Sequence, residues 1–426
     1  MSLGDSIERW RGLSNTSEAV VQALRLLAAD LRSDAATQDS LDRLSRGARV
    51  VVAGQQPGLC GGPLLTTLKT IAAVQSADRL TRQGLDTVPI FWNATTDHDL
   101  DEMNRVFLPS IDGLTVDRHR VEGWSRGVAA SQCFFSDEQV AALIKWMESH
   151  DIDLVDDERP VAGEALGRWQ SRLMTNRFSG SGLVVLEADG VLSHDLALKA
   201  RVLNQTAALG VALRETQHAR VDRKPLLNVP AGAFLFQQGP PRKRVPAPDE
   251  GQDTRAWMAA QGQSVSGDVV GRVLSQQDLL PVAFQVAGPS ERLYIEEMAR
   301  LFKIVDVPPL STTPRPSCCL LTRARADGFV ELGVVGEDRA FPSRWPKQAQ
   351  RRSRRRRRAE GEEVDTAPAA ASRRLRKRLS EWVAPRGRPQ ERVFSLVGFN
   401  KQPGAVVRQL LARELSVTEC EVVLLQ

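Results

Sequence analysis

ARVVVAG at residues 48–54, GQQPGLCGGP at 54–63, LLTTLKTIAAVQSADRL at 64–80 and VPIFW at 88–92 decide the fold between them. The first is a short β-branched apolar run, the pattern of a strand buried on both faces. The third carries Leu64, Leu68, Ile71 and Leu80 as an apolar stripe at helical spacing, and Pro63 suits a first helical position. VPIFW is a second buried strand. Strand, helix and strand within about 45 residues make a βαβ unit, whose crossover is almost always right-handed.

The pattern recurs outward. GLVVLEAD at 182–189 reads as a strand, and VLSHDLALKARVLNQTAALG at 191–210 as the helix after it. LLPVAFQVAGPSERLYIEEMARLFKIV at 279–305 gives a strand ending near Ala287, a Gly-Pro turn, and one helix with Leu293, Met298, Leu301 and Phe302 inward. Upstream, Thr16 is placed to cap a helix carrying Val20, Val21, Leu24, Leu27 and Leu31. This alternation predicts an α/β protein with a doubly wound parallel sheet. The expected core spans residues 1–337, with an insertion rich in Pro, Gly, Arg and Gln near 213–270. An Arg-, Ala- and Pro-rich linker at 338–372 follows, then a C-terminal part, 373–426, with a basic helix around SRRLRKRLSEWV and a last strand, CEVVLLQ.

Composition excludes several classes. With 426 residues, 42% of them hydrophobic, the chain can bury a large core. No apolar run reaches the roughly 18 residues of a membrane span. The start, MSLGDSIERWRGL, lacks the charged and apolar pattern of a secretory signal, so the expected compartment is the cytoplasm. The five cysteines form no CxxC pair and are read as reduced thiols, with no metal site. Much of the net charge of +5 sits in RRSRRRRRAEGEE, which begins at Arg351. The tract Arg351–Arg358 lacks interleaved aromatics for base stacking, so a solvated linker is favoured over nucleic-acid binding.

In an open parallel sheet, ligands sit beyond the carboxyl ends of the strands. Two unusual loops fall there. The first holds Gly54, Gln55, Gln56 and Gly58, whose glycines allow close backbone approach, while the next helix offers amides to an anion. It matches neither the Walker loop nor GxGxxG. The second holds Asp97, His98 and Asp99, groups able to bind an ammonium, orient water or move a proton, with Asp101, Glu102 and Asn104 just beyond. A later set comprises Gln277 and Asp278, the turn Gly288-Pro289-Ser290-Glu291, and Tyr294 on the same helix face as Glu291. Arg315, held between prolines, suits a carboxylate or phosphate. Each group also has a structural explanation as a tight turn, a helix cap or a surface turn; their shared strand edge favours a site.

GQQPGLCGGPLLTTLKT, VPIFWNATTDHDLDEMN, QQDLLPVAFQVAGPSERLYIEEM, TPRPS and RPQERV, in that order, resemble the bacillithiol cysteine-adding enzymes, the BshC family. The resemblance implies a Rossmann-like core akin to class I aminoacyl-tRNA synthetases and a helical coiled coil that pairs two subunits. It implies amide formation between the carboxyl of cysteine and the amine of malate-linked glucosamine. Gln55, Gln56, Asp97, His98, Asp99 and Asn104 would line the main pocket, and Gln277, Asp278, Glu291 and Tyr294 match the later motif. An activated carboxyl is needed, which leaves ATP or another nucleotide open as activator. The sequence departs from the family at Pro57 and Cys60, and at Thr95-Thr96 where the family tends to an acidic residue. Few apolar heptads lie between TPRPS and RPQERV, which argues against a homodimer paired through that element. Two other readings stand beside this one: nucleotidyl transfer to another substrate, and a silent binding protein whose arginine tract contacts nucleic acid.

Overall fold

The computed structural model describes residues 3–109, 116–152, 154–220, 223–239, 241–261, 264–322, 340–341, 390–399, 403–413, 415 and 420–425. Its strands, numbered in chain order, form four sheets among these residues. The central one has five strands in the order β10-β9-β1-β2-β5, all parallel. They are β1 (Arg49–Gln55), β2 (Thr87–Asn93), β5 (Val184–Glu187), β9 (Val282–Ala287) and β10 (Thr312–Pro314).

The β-branched runs form strands here because both faces are covered, so every position is apolar rather than every second one. Val50, Val52, Val88, Ile90, Val184 and Leu186 point into one core. Val51, Ala53, Phe91, Val185, Ala283 and Val286 point into the other. Pro89 removes one amide from β2, and β5 pairs with β2 only from Ile90 onward, so the ladder on that side begins after the missing donor. The Leu64–Arg82 helix covers the second core with Leu64, Leu68, Ile71, Val74, Ala77 and Leu80. Pro63 stands at its cap rather than inside its first turn.

The chain runs from β1 outward through β2 to β5, then returns to the other side of β1 as β9 and β10. Strand order therefore reverses at the β1/β9 boundary, where the connecting loops diverge and leave a crevice.

Other expectations shift by a residue or a turn. Ser17, not Thr16, caps the Glu18–Asp30 helix, accepting from Val20 N. The helix expected at 191–210 is two, Leu196–Asn204 and Thr206–His218; Thr206 bonds back to the Val202 and Leu203 carbonyls at the junction, a contact that bends helices. The helix after β9 ends at Glu297, and Leu301–Ile304 is a separate short one. The buried Glu297 carboxylate accepts from the backbone amides of Leu226 and Leu227 and the Gln217 amide, fixing the loop that crosses there.

The remaining sheets are small. The hairpin of β3 (Arg105–Pro109) and β4 (Val116–Arg120) follows the acidic loop. Within 213–270, β6 (Leu235–Gln237) is flanked by β7 (Lys243–Arg244) and β8 (Val265–Gly267). Phe234, Leu235, Val245, Met258 and Val265 of this region join the first core. Near the end of the chain, β13 (Cys420–Leu425) pairs with β11 (Ser317–Thr322) and with β12 (Ala340–Phe341), so the last strand expected from CEVVLLQ is present. Apart from β12, the linker expected at 338–372 lies outside the described residues, as do the Arg351–Arg358 tract and the helix expected at SRRLRKRLSEWV. No helix among the described residues is long and apolar enough to cross a membrane.

One buried ion pair shapes the loop after β1. Arg177 and Glu158 are almost wholly buried; Arg177 Nη2 lies 2.8 Å from Glu158 Oε2, and its Nη1 donates to the Cys60 carbonyl at 3.1 Å. Removing the carboxylate leaves a buried guanidinium uncompensated. Glu158→Ala should therefore lower unfolding free energy by about 3–5 kcal/mol. The exposed pair Arg300–Glu215 should lose less than about 1 kcal/mol on Arg300→Ala. Chemical denaturation of both variants checks this, and equal losses would contradict it.

Candidate functional site

A cleft of about 520 Å³ opens at the β1/β9 crevice. Gly54, Gln55, Gln56 and Gly58 leave the end of β1 into one wall; Gly288, Glu291 and Tyr294, from the turn and helix after β9, form the facing one. Asp97 and Glu102 reach it from the loop after β2, Arg105 from β3, Arg272 and Gln276 from the Val269–Leu279 helix, and Arg315 from the end of β10.

Lys69 lies beneath these walls. Its ammonium, buried in the Leu64–Arg82 helix, donates to the Gly54 carbonyl at 2.9 Å, to Gln55 Oε1 at 3.1 Å and to Glu291 at 2.7 Å. The other face of the Glu291 carboxylate accepts from Gly288 N at 2.6 Å. Burial pulls the Lys69 pKa down, and Glu291 opposes that. Sequence reading passed over Lys69, although the signal existed: it is the sole charge between Leu64 and Ala77, and a lone charge on an apolar helix needs a buried partner.

Asp97 is the electrostatic centre of the opposite side. Its Oδ2 lies 2.6 Å from Arg272 Nη1, and its Oδ1 accepts from the amides of His98 at 2.7 Å and Asp99 at 3.3 Å. Burial raises its pKa, but the Arg272 guanidinium and the two amides outweigh that and hold it down to about 2. Arg272 is a second residue that sequence reading missed, the sole charge between Asp268 and Asp278. Val269, Arg272, Val273 and Gln276 share one helix face and line the cleft together.

Glu102 remains open to solvent, yet partial burial and the nearby charges of Asp99 and Asp97 raise its pKa above the ordinary carboxylate value. The Gln56 side chain bonds to it, opposing the rise. Burial, reinforced by Glu291, raises the Tyr294 pKa and keeps its phenol protonated.

Five of the sequence-derived candidates stand apart from the cleft lining. His98 packs edge-on against Phe236 and accepts on Nδ1 from Arg242 Nη1 at 2.6 Å, which places its ring proton on Nε2. Burial and the positive Arg242 lower its pKa, so it is neutral. Asp99 is exposed and begins the short Leu100–Met103 helix. Asn104 donates to the Val121 carbonyl, joining the loop to the β3–β4 hairpin. Gln277 is buried with Nε2 unpartnered, and Asp278 pairs with Arg201 at 2.9 Å. Arg315 reaches the cleft, but its guanidinium is used by Glu391 at 3.2 Å and by the Pro316 carbonyl.

One expectation about the first loop changes. The helix after it does not open its first amide to an anion, since Leu64 N donates to the Phe394 carbonyl at 2.8 Å. Cys60 is fully buried, and burial pushes its thiol up to about 12, so it is inert as a nucleophile. Among the described residues no group of three or more His, Cys, Asp or Glu is placed to hold a metal ion.

Comparison with known proteins follows from this geometry. The family described as "Bacillithiol biosynthesis BshC, N-terminal Rossmann-like domain" matches residues 5–217, half of the chain. The "Putative cysteine ligase BshC" of Koribacter versatilis is 30% identical over 305 residues, covering 66% of this chain and 57% of that protein. The protein of the same name from Bacillus cytotoxicus is 25% identical over 356 residues, covering 75% and 65%. That from Bacillus mycoides is 25% identical over 322 residues, covering 67% and 58%. The chain thus spans less than two thirds of the length of these relatives. A parallel five-stranded sheet with its cleft at the strand-order switch, and a family match across the part that builds β1, β2 and β5, lead to one conclusion: the chain belongs to the BshC family.

Proposed function

We propose that the cleft joins the carboxyl of cysteine to the amine of malate-linked glucosamine, forming an amide in bacillithiol biosynthesis. The observation that carries this reading is the pairing, in one cleft, of a raised-pKa carboxyl, Glu102, with a guanidinium, Arg272, fixed by a permanently ionised Asp97. Amide formation needs a neutral amine, an activated acyl group, and donors for the oxyanion that develops on the acyl oxygen. Glu102 accepts the proton that the amine sheds as it attacks. Arg272, with one donor spent on Asp97, turns the others toward the acyl oxygen, and the Tyr294 phenol adds a neutral donor. The amine nitrogen takes the acyl carbon, and the leaving group departs with the old bond's electrons.

A free carboxylate gives no such leaving group, so the acyl carbon must be activated first, and a nucleoside triphosphate is the activator that a Rossmann-like cleft suggests. Because Leu64 N is engaged by Phe394, side chains rather than that amide would meet its phosphates. Asp97 acts here as the group that aims Arg272. His98, neutral and protonated on Nε2, stands next to it as a second-line donor on the cleft's flank.

Mass spectrometry of the full chain with cysteine and malate-linked glucosamine, with and without ATP, tests the reaction. The cysteinyl conjugate is expected with a nucleoside triphosphate present; its absence under all conditions overturns the proposal. Glu102→Gln should lower kcat by about 100- to 10,000-fold, the usual worth of a positioned base. In the parent chain the rate should rise with pH through the raised Glu102 pKa, because only the ionised carboxyl accepts a proton, and that limb should vanish in the variant.

Asp97→Asn should cost about 100-fold in product formation through misplacement of Arg272. It carries a stability signature as well. The folded pKa of about 2 lies below the ordinary aspartate value of 3.8, so the stabilisation is present above about pH 4 and is lost as pH falls through about 2. The difference between parent and variant, about 2 kcal/mol at neutral pH, should shrink on acidification; a constant difference from pH 7 to pH 2 would contradict the ion-pair account.

A further inference from the structure

We propose that Arg105 and Arg392 form a recognition site for a dianion at the rim of the cleft, and that its occupant is the malyl group of the acceptor substrate, held by its two carboxylates. The identity of the occupant rests on the ligase reading; the anion site does not.

The other cationic side chains that reach the cleft have partners in the chain. Lys69 spends its donors on Gly54, Gln55 and Glu291, Arg272 is paired with Asp97, and Arg315 with Glu391. Arg105 and Arg392 differ. Both line the cleft, and among the described residues neither has a hydrogen bond or an ion pair; Arg105 lies over the Phe107 ring at 5.8 Å and feels Glu102 only through space.

They are also brought together. A parallel bridge joins Phe107 to Phe394, and Ser395 N donates to the Phe107 carbonyl at 3.2 Å. Arg105 and Arg392 each stand two residues before this bridged pair, and both line the same cleft.

The Arg392 side chain is exposed, but the backbone at both positions is fixed. Arg105 opens β3, and Arg392 closes the short turn Gln390–Arg392. That turn is pinned from inside: buried Gln390 accepts from Leu320 N at 2.7 Å, and buried Glu391 takes Arg315 and the Ser317 hydroxyl. Two cations that line one cleft without an anionic partner among the described residues favour an anion there. Planar guanidiniums bind carboxylates bidentately, and a diacid offers one carboxylate to each. A phosphate chain shares this chemistry, so the test must separate the two sources.

Isothermal titration of the full chain and of Arg105→Gln and Arg392→Gln, with malate-linked glucosamine, cysteine and ATP in turn and without turnover, provides that separation. Affinity for malate-linked glucosamine should fall about 10- to 100-fold in each variant, the worth of a hydrogen bond to a charged group. Lysine at either position should restore part of it, while cysteine affinity and the melting temperature stay at the parent values. Unchanged affinity, or no binding of malate-linked glucosamine by the parent chain, overturns the site. A loss confined to ATP assigns the pair to phosphate and overturns the malyl occupant. The ligase reading is separable: if the parent makes no cysteinyl conjugate but the variants lose malyl affinity, the site stands and the ligase falls. Product formed by both variants at the parent KM has the opposite meaning.

Discussion

The cleft depends on one buried ammonium. Lys69 sits where the strand order reverses, and its ammonium ties the two sides of the crevice together. The Gly54 carbonyl and Gln55 belong to the end of β1; Glu291 belongs to the helix after β9, and the same carboxylate holds Gly288 N at the end of that strand. Desolvating a charge is costly, and the cost is offset here because the ammonium is surrounded by acceptors. A hydrocarbon of similar length would fill the space but leave Glu291 charged without its main partner, which is the expensive half of such a change. The strut therefore sets where Gln55, Gly288, Glu291 and Tyr294 stand relative to one another.

Gly61 answers to the protein's own packing, while Gly54, Gly58 and Gly62 line the cleft. Gly61 has a left-handed φ of 89°, and a side-chain carbon there would run into the Arg177 guanidinium. That guanidinium, neutralised by Glu158, holds the Cys60 carbonyl, and Ser395 Oγ donates to the same oxygen. Cys60 itself is forced to a φ of 57°, a conformation costly for a residue with a side chain and kept only because these contacts over-determine it. At Gly61 the close approach is needed by the Arg177 side chain.

What the sequence made legible follows from the range of the forces involved. β1, β2 and β9 were readable because burial on both faces leaves a continuous apolar run, and the carboxyl ends of those strands gave the location of the cleft. Individual directions were not readable. Asp97, His98 and Asp99 are consecutive, yet Asp97 turns to Arg272, His98 to Arg242 and Asp99 to solvent. On the Val269–Leu279 helix, Gln276 faces the cleft while its neighbours Gln277 and Asp278 are carried round to other surroundings, as 100° per residue requires. Arg315 could be read as a free guanidinium because its partner, Glu391, lies 76 positions away. Partners at such separation leave no local trace, and neither does the Phe394 carbonyl that occupies the amide of Leu64.

Those distant partners bear on what counts as the functional unit. The family match ends at residue 217, but Arg272, Gln276, Glu291, Tyr294, Arg315 and Arg392 all come later and all reach the cleft. The matched part supplies β1, β2, the Gly-rich loop and the acidic loop, which amount to one side of a crevice. The other side comes from β9 and its helix, and the rim comes from the 390–395 segment, threaded between the Leu64–Arg82 helix and β3. Charge is divided along the same lines. The cleft's acids Asp97 and Glu102 are delivered early in the chain, while Arg272, which neutralises Asp97, comes from a later segment. A chain cut after the matched region would therefore leave Asp97 without Arg272 and Lys69 without Glu291, so the cleft's chemistry cannot be a property of the matched region alone.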